Sequence, residues 1–367
     1  QIPAAKVRIG IDTGLALAVN NGRSGYREPL FLGDPANHAA KLASNNKARG
    51  IYLTNNARKA IGLAESDEPE KSALTAIEIK ACQDAAKLDV TSDEIVEEWR
   101  EDLKKNPIGG YQFSRQTPPL RDMDIYSLTP ANSKRQEMVS LYADIDGFTA
   151  YVADHINEKT DDVVRTLHVI RSELERVVTS DFEGRRVRFI GDCVQALSCD
   201  GTAHTTDEEK SVSEATRLAG ALRSSFNLAI ERLNAEGIET GDLGLAIGFD
   251  LGPIAVTRLG AKGNRVRCAI GRSVIESEKR QCACSGVETA IGQVAYDAAS
   301  KAVQNLFGKS RKTSHLDYNE ATEALADDGD ASAKQARSEA YAGSAAIIRA
   351  DERQVQPHSR QKVDGSR

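Results

Sequence analysis

Apolar runs that end in an aspartate mark two places in the middle of the chain. Met138–Ala143 has the mostly apolar character of a buried strand, and Asp144 follows it directly. The next stretch, GFTAYVADHI, has the pattern of a helix start. Further on, Val187–Ile190 alternates as a second strand, Gly191 and Asp192 form a tight turn, and CVQALS returns as a third strand. Such a hairpin can place Asp192 beside Asp144, so the pattern predicts two carboxylates at neighbouring strand ends.

A second pattern of apolar residues, glycine and aspartate occurs twice in the chain. VRIGIDTGLALAV at Val7–Val19 is similar to LAIGFDLGPIAVT at Leu245–Thr257. Each copy predicts a strand, a tight glycine turn and a returning strand, with Asp12 and Asp250 as turn residues. A second glycine follows each aspartate at the same distance, Gly33 (33 − 12 = 21) and Gly271 (271 − 250 = 21), and precedes a helical stretch and a closing apolar segment. The chain therefore contains an internal repeat.

The repeat divides the chain into four predicted parts. Residues 1–62 have the form of the back half of a first domain, and residues 134–300 form the complete domain. Residues 63–133 are a polar insertion or linker with one helix, in TSDEIVEEWREDLKKNP, for which Thr91 and Glu94 form a capping box. Residues 301–367 are predicted to be an acidic, helical, solvated extension with frayed final residues. The first strand begins so early that we expect the sequence to start inside a domain.

Composition and charge narrow the class of protein. The 367 residues are 40% hydrophobic and 28% charged with a net charge of −6, which is typical of a globular protein and argues against electrostatic nucleic-acid binding. No run of apolar residues is long enough for a membrane span, and the start has no signal-peptide pattern. The six cysteines form no zinc-binding spacing and suit a reducing compartment, so we expect a cytoplasmic protein without nucleic-acid or membrane partners.

Paired aspartates at strand ends suit a divalent cation. Asp144 and Asp192 offer hard oxygen ligands for Mg²⁺ or Mn²⁺. Ile145, which lies between Asp144 and Asp146, is assigned to the same metal site. A helix start supplies free backbone N–H groups, so we expect a metal-bound triphosphate to contact Gly147, Phe148 and Thr149. A site with two metal ions can activate an attacking oxygen and neutralise a leaving pyrophosphate.

Simpler interpretations of these residues remain open. Asp144 can be a strand-end turn residue, and Asp146 fits an N-cap of the following helix better than a third metal ligand. Arg186 and Arg188 alternate along one strand, so their basic face either binds triphosphate or is solvated.

Three motifs, taken in order, resemble a known family. YADIDGFT, RFIGDCVQAL and IGFDLGPIAV…IGRSV are similar to the catalytic domain of class III nucleotidyl cyclases, the adenylate and guanylate cyclase family, over about residues 137–300. The resemblance implies an α+β, ferredoxin-like domain that works as a head-to-tail dimer. It also implies that a nucleoside triphosphate is cyclised by attack of its 3′-oxygen on the α-phosphorus, with Asp144 and Asp192 as the metal ligands.

The resemblance assigns the partner residues to the first copy. The family's asparagine and basic residue, four and eight positions after the second glycine, correspond to Asn37 and Lys41 in the first copy and to Ile275 and Lys279 in the second. Lys41 departs from the usual arginine, and Asn37 can also be an ordinary residue of a helix start. The two copies would complement each other in a pseudo-dimer with one working and one degenerate site.

The base-reading residues depart further from the purine cyclases. One of the two positions is Leu30 in the first copy, which makes no directional hydrogen bond, and the other lies before Gln1. In the second copy the pair is Arg188 and Cys268, which would face the degenerate site. The chain thus resembles most the pyrimidine cyclases of bacterial anti-phage systems, which make cyclic UMP or cyclic CMP.

Other functions remain possible at this stage. An adenylate or guanylate cyclase would share the fold and chemistry. A non-catalytic homologue that binds a nucleotide and signals by a shape change would explain Ile275 and the missing purine determinants. A polymerase-type or diguanylate-cyclase palm also places carboxylates at strand ends, but the glycine-containing repeat and the lack of a Gly-Gly-acidic turn disfavour it.

Overall fold

The computed structural model describes residues 7–21, 28–44, 48–87, 89–105, 107, 110–260 and 265–346. The chain divides into two compact units, Gln1–Ile108 with Val152–Thr160, and Gly109–Tyr151 with Asp161–Arg367. The sequence segment predicted as an insertion, residues 63–133, is therefore shared between the two units. No described helix has the length and apolarity that crossing a bilayer requires.

The first unit contains two small sheets and short helices. Its elements are β1 (Arg8–Ile11), β2 (Leu17–Asn21), β3 (Glu28–Leu32), α1 (Asp34–Ser44), β4 (Gly50–Leu53), α2 (Asn55–Ala60), α3 (Ala76–Ala86) and α4 (Ser92–Lys105). β1 pairs in parallel with β4, whereas β2 pairs antiparallel with β3. The predicted hairpin of β1 with β2 is therefore wrong, because each strand has a different partner.

Helix α4 begins where the sequence predicts. The Thr91 hydroxyl accepts the N–H of Glu94 at 3.2 Å, and the Glu94 carboxylate accepts the N–H of Thr91 at 2.7 Å. These reciprocal bonds satisfy two N–H groups that the first turn of a helix leaves free. The predicted capping box is confirmed.

The second unit is built on one mixed sheet. Its elements are β5 (Phe113–Ser114), β6 (Ser133–Asp146), α5 (Phe148–His155, which passes into the first unit), α6 (Thr160–Arg176), β7 (Arg185–Ile190), β8 (Cys193–Ser198), α7 (Glu208–Ala235), β9 (Gly244–Leu259), β10 (Val266–Ile270), α8 (Arg272–Cys282), β11 (Glu288–Ile291), α9 (Gln293–Ala298), α10 (Lys301–Phe307), β12 (Lys312–Ser314), α11 (Tyr318–Asp327) and α12 (Ala331–Ala346). The strand order is β12-β11-β9-β6-β8-β7, with β10 against β9 and β5 against β6. The four strands β6, β7, β8 and β9, with helices after the first and third, have the order of a ferredoxin-like fold. The α+β prediction is confirmed for this unit.

Strand β9 corrects the predicted turn at Asp250. It runs without interruption over 16 residues and pairs with β6 along most of its length. The Asp250 carboxylate is buried inside the strand, where it accepts the N–H groups of Leu251 at 2.9 Å and Ala295 at 2.8 Å. Asp250 is therefore a buried anchor between β9 and α9, and the turn interpretation is wrong for the second copy.

The internal repeat has the same register in both copies. Gly10 lies opposite Tyr52 in the parallel pair of β1 and β4, and Gly248 lies opposite Ala290 in the parallel pair of β9 and β11. Each residue of the second pair follows its counterpart in the first pair by 238 positions (248 − 10 and 290 − 52). A Cβ on Gly10 would lie 2.1 Å from the Ala39 carbonyl oxygen of α1, and one on Gly248 would lie 2.5 Å from the Ser277 carbonyl oxygen of α8. Glycine is needed at both places because a helix packs directly on the strand. Both copies of the predicted repeat therefore have the same strand pairing and the same close packing of a helix on the strand.

The C-terminal part belongs to the sheet and its helical layer. β12 pairs antiparallel with β11, and α11 buries Tyr318, Ala321 and Leu325. The prediction of helices is confirmed for α10, α11 and α12, but a solvated, purely helical extension is wrong, because apolar residues of α11 are buried. The predicted frayed end, the last ten residues, lies outside the described residues.

Candidate functional site

The structure brings Asp144 and Asp192 together. β6 and β8 are antiparallel, and Ala143 pairs with Val194, so continuing the register places Asp144 opposite Cys193. Asp192 lies one residue earlier, in the turn that joins β7 to β8. Gly191 has a φ of 62°, the left-handed conformation that a two-residue hairpin turn favours. The predicted strand–helix and hairpin arrangement around the two aspartates is confirmed.

The raised pKa values of Asp144 and Asp192 indicate that a bound cation would stabilise the two carboxylates. Burial raises the pKa of Asp144, and the nearby charge of Asp146 raises it further. Burial, followed by the charge of Asp144, raises the pKa of Asp192 to about 7, while Arg171 acts in the opposite direction. Two close carboxylates in a partly dry site are unstable as anions unless a positive charge is added.

The donor set fits Mg²⁺ or Mn²⁺ with open positions. Both side chains supply oxygen ligands, and Gln281 Nε2 lies 3.4 Å from Asp144 Oδ2, where its N–H can orient the carboxylate. Among the described residues, no three His, Cys, Asp or Glu side chains form a complete metal cluster. The pair would therefore hold a cation that takes its remaining ligands from water, backbone or phosphate.

The thermal stability of an Asp192→Asn variant tests this electrostatic picture without an activity assay. The folded pKa of about 7 exceeds the ordinary value of 3.8, so ionisation of Asp192 penalises the metal-free folded state. The penalty is absent below the ordinary pKa, grows as the pH rises, and is complete above the folded pKa. In EDTA we expect the variant to melt several degrees above the parent at pH 8 and to lose that advantage at pH 4, since about 1 kcal/mol shifts Tm by roughly 2–4 °C in a domain of this size.

Added Mn²⁺ reverses the order of the two melting temperatures at pH 8. The cation stabilises the parent carboxylate pair more than the neutral variant, because binding to the folded state alone raises its stability. Asp242 is exposed and provides the control, since added Mn²⁺ should not reverse the order of the melting temperatures of Asp242→Asn and the parent. An equal response of both variants would contradict a metal site at Asp144 and Asp192.

The backbone next to Asp144 leads into a helix start. Ile145 lies in β6 with its side chain buried, and Gly147, with a φ of 81°, turns the chain into α5. Phe148 begins the helix and is buried, whereas Thr149 is exposed. The free N–H groups of this first turn are located within a few residues of the carboxylate pair, as the sequence predicts. Their contact with a triphosphate stays a prediction.

Asp146 does not act as the predicted N-cap. Its carboxylate Oδ2 accepts the N–H of Gly286 at 2.7 Å, which connects the end of β6 to the loop before β11. A Cβ on Gly286 would lie 3.1 Å from that oxygen, so glycine allows the close approach. Asp146 is thus a structural anchor in the second unit.

The two arginines of β7 have different surroundings. Arg186 Nε lies 2.9 Å from Glu175 Oε1, and its guanidinium lies over the Phe189 ring. Because of this ion pair, the Arg186 side chain is not simply solvated on an exposed strand face, which was the alternative interpretation. Arg188 is half-buried and pairs across the hairpin with Gln195 in the β-ladder. Its predicted role in substrate binding stays a prediction.

Asn37 and Lys41 lie in the first unit, on helix α1. They are four residues apart, so they share one helix face, with Asn37 half-buried and Lys41 exposed. Leu30 lies in β3 opposite Val19 of β2 and is half-buried. These three residues therefore belong to a different compact unit from Asp144 and Asp192.

The equivalent positions of the second copy have other surroundings. Ile275 is exposed on α8, and Lys279 Nζ lies 3.5 Å from Glu276 Oε2 on the same helix. An exposed isoleucine provides no amide for a ribose. The two helices therefore differ in these side chains, and the functional asymmetry between the two copies stays a prediction.

Two residues near the carboxylates were missed by sequence reasoning. Gln281 of α8 contacts Asp144, and Arg171 of α6 lies with its guanidinium 3.9 Å from the centre of the Phe189 ring. Arg171 is buried on the helix face that also carries Val163, Leu167 and Leu174. An arginine within that apolar stripe is the signal that could have identified it. Gln281 has no comparable local signal.

Comparison with known proteins finds a cyclase that is similar in sequence to most of this chain. No family model matches the chain. A uridylate cyclase from a Rhizobium species is 40% identical over 326 residues, which cover 83% of this chain and 60% of the relative. The chain is a relative of a uridylate cyclase. The resemblance to the nucleotidyl cyclases that the motifs predict is thereby confirmed. The chain spans about 60% of the length of this curated relative.

Solved structures of cyclases also match part of the chain. The adenylyl cyclase CyaB from P. aeruginosa is 22% identical with a TM-score of 0.40, covering 45% of this chain and 81% of that structure. The guanylyl cyclase Cya2 is 19% identical with a TM-score of 0.40, covering 46% of this chain and 81% of that structure.

Proposed function

We propose that this relative of a uridylate cyclase converts UTP to 3′,5′-cyclic UMP and pyrophosphate. The observation that carries the proposal is the half-buried pair Asp144 and Asp192, close to a helix start, in a chain 40% identical to a uridylate cyclase. Formation of cyclic CMP from CTP is the second candidate, because the apolar side chain of Leu30 makes no hydrogen bond that would separate uracil from cytosine. In line with the pyrimidine cyclases that the motifs resemble, the product would serve as an alarm signal in a bacterial defence against phage.

The proposed roles follow from the chemistry of each residue. Asp144 and Asp192, with the backbone carbonyl of Ile145, would hold one or two Mg²⁺ or Mn²⁺ ions. When bound, the cation supplies Lewis-acid stabilisation of the reacting oxygens and of the leaving pyrophosphate. The backbone N–H groups of Gly147, Phe148 and Thr149 would bind phosphate oxygens at the start of α5.

The first copy would complete the site. The Asn37 amide would orient the ribose so that its 3′-oxygen faces the α-phosphorus in line with the leaving group. A bond forms between O3′ and the α-phosphorus, the bond from that phosphorus to the bridging oxygen breaks, and the 3′-hydroxyl proton is released to water. The Lys41 ammonium would neutralise negative charge that develops on the α-phosphoryl oxygens. Leu30 would contact the base through its apolar side chain.

The two copies would act as complementary halves of a head-to-tail pair. The first carries the amide and the cation, and the second carries the carboxylates, whereas Ile275 makes the opposite combination inactive. One working site would result, formed either within one chain or between two chains.

Separate incubations with each nucleotide test the proposed reaction. With Mn²⁺ and UTP we expect equimolar cyclic UMP and pyrophosphate, identified by mass, and no product once EDTA is added. Hydrolysis to UMP or UDP in place of the cyclic product would contradict a cyclase. Binding of UTP without turnover would favour the non-catalytic homologue.

A further inference from the structure

A buried carboxylate in the first unit joins three elements around helix α1. The Asp12 side chain is 1% exposed and follows the end of β1. Its Oδ1 accepts the N–H of Thr13 at 2.8 Å and the hydroxyl of Thr54, the N-cap of α2. Its Oδ2 lies 2.9 Å from Nδ1 of His38 in α1. Because a carboxylate only accepts, Nδ1 of His38 carries the donated proton in this pair.

The second copy lacks both side-chain donors of this cluster. The positions equivalent to His38 and Thr54, again 238 residues later (38 + 238 and 54 + 238), are Glu276 and Gly292. Glu276 pairs with Arg280 within its own helix, and a Cβ on Gly292 would lie 2.1 Å from Cγ of Asp250. The Asp250 carboxylate accepts backbone N–H groups of β9 and α9 instead. A bond from the aspartate to the side chain at this helix position is thus particular to the copy that carries Asn37 and Lys41.

Helix α8 is attached to the sheet in another way. Ser277 Oγ donates to the carbonyl of Ser140 in β6 at 2.9 Å, and Gln281 contacts Asp144. The equivalent positions on α1 are Ala39 and Ala43, which carry no polar side chain (277 − 238 and 281 − 238). On α1 the polar attachment comes instead from Arg8, whose Nε donates to the Leu42 carbonyl, and from His38. His38 holds the N-terminal part of the helix, directly beside Asn37.

We infer that His38 and Asp12 are positioning residues, which fix the first turns of α1 so that Asn37 and Lys41 are presented to the substrate in one orientation. The inference rests on the proposed cyclase function. The pair does not touch the reacting atoms: its effect passes through the helix. A misplacement of about 1 Å in an orienting group can lower a rate by roughly 10²-fold, so loss of the contact should reduce turnover far more than substrate binding.

Hydrogen exchange measures the positioning without any enzymatic activity. Deuterium uptake is followed by mass spectrometry in the parent and in His38→Ala, over peptides that cover α1 (34–44) and α8 (272–282). We expect faster exchange in α1 of the variant and no change in α8. The matched substitution in the other copy, Glu276→Ala, should leave α1 unchanged. Equal exchange of α1 in the parent and His38→Ala would overturn the inference, whether or not the protein is a cyclase.

Steady-state kinetics separate positioning from a general loss of structure. For cyclisation of UTP we expect His38→Ala to lower kcat about 10- to 100-fold with KM nearly unchanged. His38→Asn should restore most of kcat, because the asparagine N–H can occupy the place of Nδ1 and donate to Asp12. A parent that forms no cyclic nucleotide would refute the proposed function and leave the exchange result to decide the positioning. Full kcat in His38→Ala, or an equal loss in His38→Ala and His38→Asn with a lowered Tm, would overturn the inference.

Discussion

Replacing Asp144 by alanine abolishes cyclic-nucleotide formation, with a fall in kcat of at least about a thousandfold. The variant removes one of two half-buried carboxylates and leaves Asp192 with the positive charge of Arg171, so the remaining site attracts a cation much less. We expect binding of Mn²⁺, measured by electron paramagnetic resonance or calorimetry, to weaken together with turnover. The alanine variant should stay folded, because it removes an electrostatic penalty from the metal-free protein.

Asp146→Asn is the matched control for this substitution. Asp146 lies two residues further along β6, and its carboxylate is engaged by the N–H of Gly286. The asparagine oxygen can accept the same hydrogen bond, so we expect Mn²⁺ binding to persist and kcat to change by less than about tenfold. An Asp144→Ala variant that retained both metal binding and turnover would refute the assignment of the metal site.

Replacing Lys41 by alanine lowers kcat about 100-fold, whereas the same change at Lys279 leaves it nearly unaltered. The two lysines occupy equivalent positions of the repeat, but only the first stands on a helix that also carries Asn37 (279 − 238 = 41). Lys279 already interacts with Glu276 on its own helix. Rates at saturating UTP for the two variants compare the copies directly, and equal losses would contradict the proposed asymmetry.

Mixing two impaired variants shows where the working site is formed. If two chains share a site, Lys41→Ala and Asp144→Ala together regain activity, since one pairing brings an intact Lys41 to an intact Asp144. If one chain contains the whole site, the activity of the mixture stays at the average of the two separate variants at every concentration. Either result is compatible with one working and one degenerate site.

The arrangement around the carboxylates could be predicted because its signals are local. The apolar run before Asp144 and the Gly191–Asp192 turn each specify a short element, and the hairpin of β7 with β8 follows from that turn. The repeat was also visible, because glycine is required at Gly10 and Gly248, where the backbones of α1 and α8 approach the strand too closely for a side chain. These features depend on residues close in sequence or on a fixed spacing.

The errors arise where tertiary contacts decide the structure. Asp250, Leu251 and Gly252 have the composition of a turn, but β6 supplies hydrogen bonds along the strand and the N–H of Ala295 satisfies the buried carboxylate. The pairing of β12 with β11 and the burial of α11 likewise depend on partners distant in sequence. Gln281 reaches Asp144 across 137 residues, which no local pattern specifies.

Competition among the four nucleotides tests the central claim most directly. The protein is incubated with Mn²⁺ and an equimolar mixture of ATP, GTP, CTP and UTP, and the cyclic products are separated and quantified by mass. Under these conditions the product ratio equals the ratio of kcat/KM values. We predict that cyclic UMP is the main product and that the two pyrimidine products together exceed cyclic AMP and cyclic GMP by more than about tenfold, because Leu30 offers a purine base no hydrogen-bond partner. A predominance of cyclic AMP or cyclic GMP, or the absence of any cyclic product, would contradict it.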